Sequence, residues 1–81
     1  MVDGFLIPLS EAEIGRDVKL VTIDAGRELT SRLVAMGLVP NSVITVVGVG
    51  RPGPFTINVK GSKVAIGRGM AQKIMVSYIQ Q

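Results

Sequence analysis

The sequence predicts a mainly β domain, a small barrel of about five short strands with one short α-helix inserted after the first strand. Three observations carry that expectation. Several segments alternate apolar and polar residues or run as short β-branched stretches, as half-buried strands do. Residues 25–37 alone change to the helical period. The chain has 81 residues, enough for one domain (1–81, core 8–79) and no second. Short strands in so small a chain protect their edges most simply by closing on themselves.

The elements follow in order. "PLSEAEIG" (8–15) places Ser10 three residues before Glu13, a capping-box pattern for a helical turn, with Gly15 to end it. "DVKLVTID" (17–24) reads as a strand whose inward pair is either Val18 and Leu20 or Val21 and Ile23. In "AGRELTSRLVAMG" (25–37), Leu29, Leu33 and Met36 fall at i, i+4 and i+7 and form one apolar stripe. Arg27, Glu28, Ser31 and Arg32 face away from it. Asp24 is placed to cap this helix, Glu28 suits the positive end of its dipole, and Gly37 stands at its stop.

"LVPNS" is a turn, because Pro40 presets φ and Asn41 accepts the left-handed conformation. "VITVVGV" (43–49) and "FTINVK" (55–60) are strands, the second with Phe55, Ile57 and Val59 inward. Gly61-Ser62 fits a two-residue hairpin turn with glycine first, as in type II′. "KVAIG" returns as a strand, "RGMAQK" forms one tight turn, and "KIMVSYI" closes the chain with Ile74, Val76 and Tyr78 on one face.

"GVGRPGPF" (48–55) spells G-x-G-x-x-G, the fingerprint of a dinucleotide loop. In that fingerprint a helix must follow, since its N-terminal amides hold the phosphate. Here Pro52 and Pro54 flank Gly53 and an alternating strand follows, so the glycines belong to a hairpin loop.

Composition narrows the chemistry. There is no cysteine and no histidine, which removes disulfides, thiolate chemistry and the commonest metal ligand and general base. The acids are solitary or lie in the first turn, and Thr30 and Ser31 lack a base. The sequence predicts no enzyme and no cofactor and assigns no metal ligands; a transition-metal site would have to come from carboxylates, carbonyls or Met sulfurs and would be weak. All six acids lie within residues 1–28, whereas residues 29–81 carry six basic residues and no acid. Such asymmetry favours an acidic partner, a nucleic acid or a membrane surface, although the cations are spaced singly. Residues 33–50 carry no charge, but Gly37, Pro40 and Asn41 interrupt them, so no membrane-spanning helix is expected. "MVDGFLIPLSEAEIG" has no basic leader, and the chain reads as cytoplasmic. The high apolar content leaves room for weak self-association.

"PLSEAEIG", "LTSRLVAMGLVPNS" and "VGRPGPFTINVKGSKVAIGRGMAQKIMV", in this order and spacing, resemble the FeoA family, the small cytosolic component of bacterial ferrous iron uptake. The resemblance covers residues 8–76. It implies an SH3-like β-barrel with the helix between the first and second strands. It also implies a partner, FeoB, the membrane transporter whose cytosolic part carries a GTP-binding domain. Two departures stand out: Pro40-Asn41 replaces the usual Pro-Gly, and "IGRGMAQK" replaces a segment where many relatives carry acids and an arginine.

For a docking edge the sequence offers Arg32, Leu33, Leu38 and Pro40, an apolar ridge beside a cation at the helix end, and Arg51 at the tip of the "GRPGP" loop. Only Phe5, Phe55 and Tyr78 are aromatic, too few for the ring-lined groove that binds proline-rich peptides. The alternatives are a nucleic-acid-binding barrel, which lacks aromatic platforms beside its cations and is not expected, and a metal-responsive module like the barrel appended to some metal-dependent repressors.

Overall fold

Alternation along the chain becomes one antiparallel sheet. A computed structural model describes residues 5–50 and 53–79. The strands are β1 (Ile7–Pro8), β2 (Asp17–Ile23), β3 (Val43–Val49), β4 (Phe55–Val59), β5 (Ser62–Ile66) and β6 (Ile74–Tyr78), in the spatial order β1-β6-β2-β3-β4-β5. β2 to β5 follow one another as neighbours, and β6 returns to lie between β2 and β1. The strand beyond the expected five is the two-residue β1, paired through Ile7↔Val76 and Pro8↔Met75. The helix α1 (Arg27–Ala35) follows the first long strand, as expected.

The sheet is curled but not closed by hydrogen bonds, since β1 and β5 share no ladder among the described residues. Helical turns meet there instead. A 3-10 turn (Leu9–Glu11) after β1 packs against the one-turn helix α2 (Arg68–Ala71) after β5, and Leu9 and Ala71 are fully buried. The radius of gyration is 11.6 Å, against about 12 Å for a folded chain of this length. The fold is thus SH3-like.

Bulges decide which side chains enter the core. The β2–β6 register shifts between Leu20 and Thr22, so Val18 and Leu20 are fully buried, Val21 is exposed and Ile23 still packs against the core. This settles the inward pair of that strand as Val18 and Leu20. A second shift, between Val46 and Gly48, leaves Val47 exposed on β3. The inner face is completed by Ile44, Val46, Ile57, Ile66, Ile74 and Val76.

Several local expectations are corrected. The hairpin turn is Lys60-Gly61, not Gly61-Ser62, because Val59 pairs with Ser62; both turn residues have positive φ (53° and 83°), as a type I′ turn requires. Asp24 does not cap α1: the cap is Gly26, with no side-chain bond, and the Thr30 hydroxyl donates to the Ala25 carbonyl at 3.4 Å. The Ser10/Glu13 capping box does not form, since the 3-10 turn begins directly after Pro8 without a side-chain cap. The Glu13 amide donates to the Tyr78 hydroxyl at 2.9 Å instead.

The end of α1 is the most fully specified local structure. Met36 ends the helix and Gly37 follows at φ 93°. The Gly37 amide donates to the Val34 carbonyl and the Leu38 amide to the Leu33 carbonyl, both at 2.9 Å. That is a Schellman stop, in which the residue after the glycine packs on the helix three residues before its cap. Leu38 and Leu33 are both fully buried, whereas Met36, expected in the apolar stripe, is 42% exposed. The reason is angular: once Gly37 reverses the chain, Leu38 takes the inward place.

Leu38→Ala is expected to cost about 2–5 kcal/mol of stability, and Gly37→Ala about 1–2 kcal/mol from left-handed strain. Met36→Ala should stay within about 0.5 kcal/mol. Urea unfolding of the three variants checks the ordering, and a Met36 effect as large as that of Leu38 would contradict it.

Candidate partner-docking surface

The five residues proposed for docking separate in the structure. Leu33 and Leu38 are fully buried and belong to the core, so they offer no surface to a partner. The expected ridge is corrected on this point, because the same Schellman stop that ends the helix turns both leucines inward. Arg32 and Pro40 are exposed, on the last turn of α1 and in the turn beyond it. Arg51 lies outside the described residues.

Met36 replaces the leucines at the surface. It sits one turn after Arg32, with its amide donating to the Arg32 carbonyl at 3.2 Å, so the two share one flank of the helix. The following turn is held rigidly. Asn41 has φ 75°, and the Ser42 amide donates to the Val39 carbonyl at 3.0 Å. Ser42 is 6% exposed; its hydroxyl accepts from the Val39 amide at 3.2 Å and donates to the Gly37 carbonyl at 3.1 Å. The Asn41 amide then donates to the Leu20 carbonyl at 2.8 Å, and the Leu20 amide to the Ser42 carbonyl at 2.9 Å. This ties the turn to β2, beside exposed Val21. Arg32, Met36 and Pro40 are thus left exposed around a turn held by hydrogen bonds, and Val21, next to the Leu20 that anchors the turn, is exposed as well.

The β3–β4 loop is braced by a residue that sequence reasoning treated only as part of a turn. The Arg68 guanidinium donates to the Gly50 carbonyl and lies 5.5 Å from the centre of the Phe55 ring. Gly50 and Gly53 approach closely: a Cβ on Gly50 would stand 2.9 Å from the Gly53 Cα, and Gly53 has φ 148°. Glycine is therefore required at 50 and 53 by a folded-back hairpin loop, with no phosphate invoked. Just before β2, Arg16 stacks 3.8 Å from the centre of the Tyr78 ring and lies 3.7 Å from Glu13.

The outer face of the sheet carries a polar row. Asp17, Thr45, Asn58 and Lys63 are successive cross-strand partners on β2, β3, β4 and β5. The Thr45 hydroxyl donates to Asp17 Oδ1 at 2.6 Å, and Asn58 Oδ1 is buried without a hydrogen-bond partner. Among the described residues no group of three or more His, Cys, Asp or Glu side chains could hold a metal ion, and no helix is long and apolar enough to cross a membrane.

A small curled sheet of six strands with a helix after its first long strand defines an SH3-like module. The chain belongs to the FeoA domain family, whose model matches residues 7–78. It is 45% identical over 71 residues to a Methanocaldococcus jannaschii protein named "Putative Fe(2+) transport protein A", covering 88% of this chain and 85% of that one. The crystal structure of an iron uptake regulatory protein, FeoA, superposes with a TM-score of 0.84 at 37% identity, over 93% of this chain and 99% of that one. The manganese-activated repressor ScaR matches at a TM-score of 0.81 over 90% of this chain and 35% of its own, but at 24% identity it shares the fold alone.

Gly50→Ala should destabilise the protein by about 1–3 kcal/mol, the usual cost of forcing atoms into a filled site. Gly48→Ala, where a Cβ meets nothing within 4 Å, should be nearly neutral. Thermal melts of both variants check this, and equal losses would contradict the close-approach account.

Proposed function

We propose that this chain is a small accessory protein of ferrous iron uptake that works in the cytoplasm by binding, without catalysis, and that its partner is the cytosolic part of a FeoB-type GTPase transporter. The observation that carries the reading is membership of the FeoA family over nearly the whole chain, together with the iron-transport name of the M. jannaschii relative. The surface supports a binding role, because the fixed edge at the end of α1 presents Arg32, Met36 and Pro40 on a rigid turn and so loses little conformational entropy when covered. A cation at the rim of an apolar contact steers an acidic partner and fixes register.

The test is direct binding of the purified protein to the cytosolic portion of a FeoB-type transporter, measured by calorimetry. Met36→Glu should weaken binding at least about tenfold, a loss typical of a residue at a contact's centre, and Arg32→Glu, at its rim, should weaken binding by setting an acid against an acidic partner. Both side chains are exposed, so the variants should unfold like the parent. Absence of binding by the parent protein, or tight salt-sensitive binding to an oligonucleotide in its place, would overturn the reading.

A further inference from the structure

We infer that the outer edge of β5 is a docking strand for an extended, acidic segment of a protein partner, which would add to the sheet by backbone pairing. The inference rests on the protein-binding reading above and gives it a second surface, remote from α1 in the strand order.

The hairpin register shows which backbone groups are on offer. Val59 and Ser62 flank the two-residue turn Lys60-Gly61 and form the hydrogen-bonded pair that closes it. Alternation then makes Ile57↔Val64 and Phe55↔Ile66 the other bonded pairs, and leaves Lys63 and Ala65 in the non-bonded ones. The amide and carbonyl of Lys63 and of Ala65 therefore point away from β4. β5 is the last strand of the sheet, and among the described residues no further backbone bond reaches it. Unpaired strand edges of this kind are templates for another strand. Ser62, Lys63 and Ala65 are exposed, so the edge is not covered by side chains of its own strand.

Charge selects the occupant. Lys60 in the turn and Lys63 on the strand are exposed cations, and no acid occurs anywhere from residue 29 onward. The acidic residue on a neighbouring element is Glu11, in the 3-10 turn that packs on α2 beyond the Ile66 end of the strand. A second copy of this chain is the poorer fit, because pairing two β5 edges would gather the lysines of both copies, and like charges facing across strands are destabilising. The lysine that blocks self-pairing is the one an acidic strand would satisfy.

Three labelled samples test this by NMR: the parent protein, Ala65→Pro and Lys63→Glu. Proline at 65 deletes an outward amide and no β4 ladder bond, and Lys63→Glu keeps the backbone intact should the proline variant not fold. The probes are a soluble peptide alternating threonine and glutamate, its threonine–lysine counterpart, and a single-stranded oligonucleotide. The expected result is slowed hydrogen exchange at the Lys63 and Ala65 amides with the acidic peptide alone, weakened about tenfold in either variant. Equal response to both peptides, no response, or capture of the oligonucleotide without the acidic peptide would overturn the inference. So would protection of the same amides by self-association as protein concentration rises. Against the FeoB-type cytosolic portion, loss of binding in the two variants supports the edge, and unchanged binding overturns it while leaving the proposed function standing. Failure of the parent to bind that portion counts against the proposed function, and the peptide titration then decides the edge independently.

Discussion

The hydrogen bond from the Leu38 amide to the Leu33 carbonyl is the constraint on which the rest of the molecule turns. It exists because Gly37 takes a left-handed conformation that a side chain would strain. With it, two leucines enter the core together and the chain leaves the helix already aimed at the Pro40–Ser42 turn. The two bonds between that turn and Leu20 then anchor the helix end to β2. The core of an 81-residue chain has few large side chains to spare. A helix that carried Met36 rather than Leu38 inward would bury a flexible side chain and expose a leucine.

The same constraint shapes the surface. Because the leucines are committed inward, what remains outside at the helix end is a cation one turn from a methionine, followed by a proline in a turn whose hydroxyl and amides are all engaged. Methionine suits a contact face, since its flexible thioether adapts to a partner's shape. The far edge of the sheet is of another kind, with backbone groups and lysines but little apolar area.

Most of the fold was legible in the sequence, and the failures have local causes. Period-two alternation placed β4, and short β-branched or one-faced apolar runs placed β3 and β6, all with nearly correct ends, because the buried side chains fall mainly on one face of each strand. Gly37, Pro40 and Asn41 marked the helix stop and turn, since their backbone preferences act without tertiary help. What misled was side-chain bookkeeping across a chain reversal. A helical wheel extended to Met36 cannot know that Gly37 sends Leu38 back into the core, so Leu33 and Leu38 were expected at a docking edge. The Lys60-Gly61 turn was displaced by one residue because Gly61-Ser62 also satisfies a hairpin rule, and only pairing with β4 chooses between them. Arg68 carried no local signal for its bond to Gly50, which joins residues 18 positions apart.

The proposed function would have the core-anchored helix stop display the face that meets a FeoB-type partner. It is tested most directly by an NMR titration of the labelled chain with the cytosolic portion of a FeoB-type transporter. The account predicts amide shifts centred on Arg32, Met36 and Asn41, with the Leu33 and Leu38 amides remaining as slow to exchange as those of the central strand β3. Shifts that avoid the helix end altogether, or fast exchange at Leu38 in the free protein, would contradict it.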